Sequence, residues 1–312
     1  MSEQDPAGSS RRGFLKCMSW AGTGLVWTLA GGVPAAIGLG EAAAATTGTR
    51  PFSFVQVSYS HIGFSKPWQP DTRVTLREAI ARIAALPQKP DFILHTGDVS
   101  QLSKPDQFDD ADQILKSAGL PVFYTPGEHD VLDEGGGKAF FARYGGGVSG
   151  GGWHSFDHGG VHFVALVNVV NLKAGGMGSL GPDQLAWLQR DLAGHGASTP
   201  IVVFTHIPLW ALYPDWGWGT DDAAQALRLL ARFGSVTVLN GHIHQVQQKV
   251  EGHVSFYTAR STAFPQPAPG TPNAQPGPMQ VPADQLRHVL GIRDVSFVAR
   301  NHPLPVTDQT LA

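Results

Sequence analysis

Histidines and carboxylates gather in five short clusters of this chain: Tyr59-Ser60-His61, Gly97-Asp98, Gly127-Glu128-His129-Asp130, Thr205-His206-Ile207-Pro208 and Gly241-His242-Ile243-His244. Imidazole nitrogens and carboxylate oxygens are the side-chain donors that hold metal ions and the groups that move protons near neutral pH. His61, His206, His242 and His244 stand beside glycine, serine or threonine just past apolar runs, not on apolar faces where core histidines are found.

Each cluster follows a short run rich in β-branched and aromatic residues: Phe52–Val57, Phe92–His95, Val122–Tyr124, 201–204 and 236–239. Such runs predict buried strands, and side chains just past the carboxyl ends of neighbouring strands face one crevice in a layered α/β domain. Five distant clusters can therefore share one pocket. Between the strands, Leu76, Ile80, Ile83 and Leu86 recur at helical spacing over 72–86, and Pro87 stops that helix. Further helices are predicted over 106–118, 137–144, 182–192 and 221–233, with a glycine-run loop over 145–152. Hairpins are expected where 153–156 and 161–167 flank Asp157-His158-Gly159-Gly160, and where 245–250 and 253–258 flank Glu251-Gly252. The Pro/Gly-rich stretch 263–282 predicts a loop without regular structure, followed by a short helix over 283–290 and a strand over 294–298. Alternating strands and helices interrupted by hairpins imply two stacked mixed sheets flanked by helices, an α/β fold, rather than one doubly wound parallel sheet.

With these motifs in this order, residues 50 to about 262 resemble the calcineurin-like metallophosphoesterases. That family's motifs run Asp-x-His, Gly-Asp-x-x-Asp or a variant, Gly-Asn-His-Asp/Glu, a lone histidine and Gly-His-x-His. The resemblance implies a four-layer α/β-β/α sandwich and a dinuclear centre of two divalent or trivalent ions, iron, manganese or zinc, with copper also compatible. It assigns one ion to Tyr59, His61, Asp98 and His244 and the other to Asp98, Glu128, His206 and His242. Asp98 would bridge, since an anionic oxygen can serve two cations at once. His129 would be the general acid, held in orientation by Asp130. Two positions depart from the family. Glu128 replaces its asparagine and adds a charge, and Tyr59 replaces its first aspartate. A phenol reaches further than a carboxylate, so Tyr59 either ligates from a withdrawn strand end or leaves that ion three protein ligands.

On the substrate side, Arg260, Asn168 and Trp210 are the candidates for phosphate or leaving-group contacts, and Trp210, Tyr213, Trp216 and Trp218 form an aromatic loop whose rings could equally serve as packing. His154, His158 and His162 are expected to form no second metal site: His158 falls in the predicted turn, and the other two have no carboxylate at ligand spacing.

Ser10-Arg11-Arg12-Gly13-Phe14-Leu15-Lys16, an apolar stretch to about Gly40 and the small residues Ala42 to Ala45 read as a twin-arginine export signal cleaved near Ala45. That predicts export by the twin-arginine machinery, a periplasmic or secreted protein without a stable membrane anchor, and a mature domain over 46–312. Removing 1–45 takes away three basic and three acidic residues and leaves the net charge at −3. No basic stripe for nucleic acid remains. The only cysteine, Cys17, leaves with the signal, so the core must stand without disulfides. The expected function is hydrolysis of a small phosphomonoester or phosphodiester by a metal-bound hydroxide. The rival is a weakened metal- or phosphate-binding descendant that lost one ion through Tyr59.

Overall fold

A computed structural model describes residues 25–30, 33–38, 51–145, 151–298 and 304–312. Two compact units result, Met1–Thr49 and Arg50–Ala312. In the first, β1 (Leu25–Ala30) and β2 (Val33–Gly38) pair antiparallel. The twin-arginine stretch 10–16, Cys17 and the alanine run 42–45 lie outside the described residues, as does most of the glycine run, 146–150. Among the described residues no helix is long and apolar enough to cross a membrane.

The second unit holds two sheets. The five-stranded sheet is built from β3 (Phe52–Val57), β4 (Phe92–His95), β5 (Val122–Tyr124), β12 (Gly291–Phe297) and β13 (Val306–Thr310), in the order β13-β12-β3-β4-β5. The six-stranded sheet contains β6 (His154–His158), β7 (Val161–Ala165), β8 (Ile201–Thr205), β9 (Val236–Asn240), β10 (Gln247–Glu251) and β11 (Val254–Thr258), in the order β10-β11-β9-β8-β7-β6. Strands β3, β4 and β5 run parallel, as do β7, β8, β9 and β11, while β6, β10, β12 and β13 join by antiparallel pairing. Both sheets are therefore mixed.

The alternation of side chains along each strand explains why the apolar runs are nearly continuous: both faces are covered. Phe52, Phe54, Phe92 and Leu94 of one sheet pack against Phe163, Val202, Phe204 and Leu239 of the other. On the outer face of the five-stranded sheet, Val55, Val57 and Ile93 meet α1 (Thr72–Ala84), α2 (Pro105–Lys116) and α3 (Lys138–Tyr144). On that of the six-stranded sheet, Ile201, Val203, Val236 and Val238 meet α4 (Pro182–Ala193) and α5 (Ala223–Leu230). This is the four-layer order of helices, sheet, sheet, helices anticipated above. At about 25 cal/mol per Å² of apolar area, a double-sided core of this kind needs no disulfide.

Element ends differ from expectation by one to three residues at most places. In the second unit two differences are larger. The final helix shrinks to one turn, α6 (Leu286–Val289), because the chain enters β12 at Gly291, three residues early. Strand β13 has no counterpart among the expected elements: Val306–Thr310 alternates weakly and is half-exposed, so it bears no strand-like apolar pattern. The first hairpin turns on Gly159-Gly160 alone, which keeps Asp157 and His158 in β6 opposite His162 and Val161. His158 is thus a strand residue that meets Asp91 at 2.8 Å, not a turn residue.

Candidate metal centre

All five clusters do come together at the carboxyl ends of β3, β4, β5, β8 and β9. The strand-end loops are laced to each other by backbone hydrogen bonds: Tyr59 to the Gly97 carbonyl, His61 to that of Asp98, Ile62 to that of Val99, and Gly241 to that of His206. Tyr59, His61, Asp98, His242 and His244 all have left-handed backbone, with φ of 57°, 40°, 54°, 72° and 53°. Each such residue costs about 1 kcal/mol or more against glycine, a strain typical of sites where a side chain is needed for its chemistry. Gly127 serves closeness: a Cβ there would overlap the carboxylate of Asp98.

The donor atoms are tightly grouped. His206 Nε2 lies 2.8 Å from Glu128 Oε2 and 3.4 Å from Asp98 Oδ2, and His242 Nδ1 lies 3.0 Å from Glu128 Oε1. On the other side, His61 Nε2 is 3.5 Å from the same Asp98 oxygen and 3.4 Å from His244 Nε2. An ion bonded to nitrogen and oxygen at about 2.0–2.2 Å keeps neighbouring donors about 2.8–3.6 Å apart, so all five separations fit. More telling, Glu128 Oε2, His206 Nε2 and His242 Nδ1 are buried and none makes a hydrogen bond of acceptable geometry despite those short distances. These three donor atoms lie within 4.8 Å of one another, the grouping that a shared ion requires.

Backbone carbonyls set the tautomers. His206 Nδ1 donates to the Thr96 carbonyl at 2.7 Å and His244 Nδ1 to the Phe264 carbonyl at 2.5 Å, which leaves both Nε2 lone pairs for the pocket. This is how metal-binding imidazoles are held. Electrostatics agree. Burial lowers the pKa of His61 to about 4 and holds that of His244 well below its ordinary value, so both are neutral donors. Burial also opposes charge on His206, but Asp98 and Glu128 outweigh it and raise its pKa well above the usual value, which marks the spot as one that favours positive charge. For Glu128, burial is outweighed by His242 and His206, which keep the carboxylate ionised.

His129 lies at the rim, with its ring centroid 4.9 Å from that of His61. Its backbone N–H donates to Asp98 Oδ1 at 3.0 Å and its Nδ1 donates to the Gln101 carbonyl at 2.8 Å, leaving Nε2 as the uncommitted ring nitrogen. Burial pulls its pKa down, yet the charges of Asp98 and Glu128 leave it raised.

Several expectations need correction. Asp130 does not orient His129. Its carboxylate accepts from the backbone of Val99, Ser100 and Gly127 and from the Ser100 hydroxyl, stapling two cluster loops together. Burial and Asp98 push its pKa up to about 6 against those donors. Asn168 spends its amide on Ile207 and Thr220, where it fixes the loop after β8 rather than reaching outward. Arg260 donates to the Val289 carbonyl, beside α6. Trp210 packs on Phe256 in the outer core, with its ring centroid 5.2 Å away. The hairpin histidine His162 has carboxylate companions after all: Asp157 at 2.8 Å across the two-residue turn and Asp191 at 2.8 Å from α4. Both ring nitrogens are thereby engaged, as in an imidazolium, with His195 against the ring at 3.7 Å.

Tyr59 is fully buried. Its ring centroid is 3.9 Å from that of His244 and 5.3 Å from that of His206. Burial first, then the charges of Asp98 and Glu128, raise its pKa well above 10. The Thr96, Gln101 and Phe264 carbonyls escape a reading of the sequence because a backbone acceptor carries no residue signature. The composition of the stretch beginning at Ala263 indicates only a surface loop, yet Phe264 is buried against His61 and His244.

Comparison with known proteins gives the same answer. The family model for calcineurin-like phosphoesterases matches residues 55–246. The chain is 26% identical over 193 residues to a probable cyclic nucleotide phosphodiesterase of Psychrobacter sp. strain PRwf-1, covering 56% of this chain and 52% of that protein. It is 23% identical over 223 residues to a 3',5'-cyclic-nucleotide phosphodiesterase of Nostoc sp. strain PCC 7120, covering 69% and 79%. The chain thus spans about half the length of the Psychrobacter relative. Among solved structures, a dimetal phosphatase from Danio rerio superimposes with a TM-score of 0.61 at 11% identity, over 84% of this chain and 96% of that one, which shows a shared fold.

Proposed function

This chain belongs to the calcineurin-like phosphoesterases, and we propose that it hydrolyses a small phosphodiester, with a nucleoside cyclic phosphate the first substrate to try. The observation that carries the reading is the close grouping of buried donor atoms without hydrogen-bond partners from Glu128, His206 and His242 beside the Asp98 oxygen shared with His61. His61, His244 and Asp98 would hold one ion and Asp98, Glu128, His206 and His242 the other, with iron, manganese or zinc suited to such mixed nitrogen and oxygen donors. When bound, the ions supply Lewis-acid polarisation of the phosphoryl group and a nucleophile at neutral pH.

The chain's own residues do the rest. Asp98 keeps its shared oxygen aimed at both positions because its other oxygen is tied to the His129 backbone. His129, protonated on both ring nitrogens as its raised pKa favours, keeps Nδ1–H on the Gln101 carbonyl and delivers the Nε2 proton to the departing oxygen. Thr96 and Phe264 prevent His206 and His244 from turning their lone pairs away. The two phosphodiesterase relatives support a diester over a monoester. The test is hydrolysis of bis-nitrophenyl phosphate, nitrophenyl phosphate and cyclic nucleotides by protein of measured metal content. No turnover on any of them by protein holding two ions would count against the proposal, and one bound ion without turnover would count for the weakened phosphate-binding descendant, which the packing of Tyr59 against His244 favours.

Residues 10–16 and 42–45 support export by the twin-arginine route to the periplasm or beyond. A reporter fused to residues 1–45 should be exported and should stay inside when Arg11 and Arg12 become lysine. Export of that variant would discard the assignment.

A further inference from the structure

The two sides of the pocket are not equally charged, and the inequality has consequences only if the pocket holds two ions, as proposed above. Glu128 commits both oxygens to one side, Oε2 beside His206 and Oε1 beside His242. Asp98 Oδ2 stands between His206 and His61, 3.4 and 3.5 Å away, and is common to both sides. His61 and His244 therefore share a single carboxylate with their neighbours, because the residue in the corner beside His244 is Tyr59.

Tyr59 brings bulk there in place of an anion. Its ring lies against the His244 imidazole at 3.9 Å and 33°. Its phenol oxygen reaches into the small space that glycine leaves at position 241, where a Cβ would stand 2.6 Å from it, 2.8 Å from the Ser58 hydroxyl and 2.8 Å from the Thr96 carbonyl. In that space it is buried and makes no hydrogen bond of good geometry.

The geometry points to an unequal ion pair: the position framed by Asp98, Glu128, His206 and His242 fills first and retains its ion, while the position framed by Asp98, His61 and His244 is weak and exchangeable, its occupancy governed by Tyr59. The affinity of oxygen-rich sites for hard cations follows the charge count of the ligands, and here two carboxylates oppose one that is shared. The first ion also neutralises part of Asp98 and repels a second cation close by, so the side without its own carboxylate bears that penalty alone. Such a protein responds to free metal concentration through the second ion while keeping the first.

The experiment is a titration of metal-stripped full-length protein with Mn²⁺, followed by calorimetry and by electron paramagnetic resonance. Expected are two steps at least about tenfold apart in affinity, the first giving an isolated-ion spectrum and the second a spin-coupled one. Tyr59→Asp should tighten the second step and narrow the gap, Tyr59→Phe should leave both steps in place, and Glu128→Gln should weaken the first. Equal affinities in the unaltered protein overturn the proposal. So does loss of the second ion in Tyr59→Phe, which would make the phenol a ligand, and so does uptake of one ion only in both the unaltered and Tyr59→Asp proteins. A folded protein that takes up no Mn²⁺ at all would instead overturn the metal-centre reading itself, and the unequal pair with it.

Discussion

His129→Gln separates proton delivery from metal binding more cleanly than any other change in the pocket. The contact that ties His129 to the donors runs through its backbone N–H to Asp98 Oδ1 at 3.0 Å, and glutamine keeps that N–H. Metal content should therefore stay as it was. What is lost is the Nε2 proton of the imidazolium, whose ring Gln101 aligns by accepting from Nδ1 at 2.8 Å. General-acid catalysis is worth about 10²–10⁴ in rate, or about 3–5 kcal/mol, and only where the leaving oxygen needs a proton. The assay is kcat/KM for a series of phosphodiesters that share one retained group and differ in the leaving group, from nitrophenol to simple alcohols. For alcohol leaving groups the variant should lose about 10²–10⁴-fold. For nitrophenol, which departs as a stabilised anion, the loss should stay below about tenfold, because the proton contributes little there. An equal loss across the series, with elemental analysis showing unchanged metal, would refute the role and leave His129 as a group that acts on the phosphoryl charge.

Asp130→Ala strands the buried N–H groups of Val99, Ser100 and Gly127, each worth about 1–3 kcal/mol, so urea unfolding should show a loss of about 3 kcal/mol or more; an unchanged midpoint would dismiss the staple. For His162, burial lowers the pKa but the hydrogen bonds to Asp191 and Asp157 raise it overall, so its folded value lies above the ordinary 6.5. The stability it adds is complete below the unfolded value of about 6.5 and fades as pH rises above it through the folded value. The gap in unfolding free energy between the parent and His162→Gln should accordingly shrink from about pH 6 upward, and a gap that widens with pH would reverse the assignment. Chelation should lower the melting temperature, since an ion held at a hundred times its Kd stabilises by about 2.7 kcal/mol; identical melting with and without chelator would argue that the folded protein binds no ion.

How much of this was legible depends on where the information sits. Strands buried on both faces announce themselves as runs rich in apolar residues, as Phe52–Val57, Phe92–His95 and Ile201–Thr205 do. The polar clusters were legible because their residue types and their place after strands are both local facts. What lay in long-range geometry was hidden. Asp157 meets His162 because the hairpin turns on two glycines; a four-residue turn would have removed Asp157 from the ladder, and residue types alone allowed either. Asp191 arrives from a helix 29 positions further along the chain. Asn168 carries the right group for phosphate, but Ile207 and Thr220 claim its amide, and Arg260 turns one guanidinium nitrogen to the Val289 carbonyl. Strand β13 forms because β12 offers it an antiparallel edge, not because Val306–Thr310 is apolar.

Tyr59, His61, Asp98, His242 and His244 show which demand prevails where stability and chemistry conflict. Each occupies a backbone conformation that glycine would adopt at lower free energy. Each is nevertheless a large or charged side chain, and four of the five carry nitrogen or oxygen donors of the kind that hold metal ions. The strain is borne by the scaffold: Thr262 and Gly97 bond the Tyr59 strand end, His206 bonds Gly241, and Asp130 fastens the Asp98 and Glu128 loops. A site whose geometry were created by its ions would not need such lacing. Here the donors are preorganised by hydrogen bonds between strand ends, so ion binding need not order the loops and its free energy can go into affinity. Tyr59 keeps the same costly conformation, and that is why its ring, held against His244 rather than free to swing, acts on the pocket as a fixed boundary.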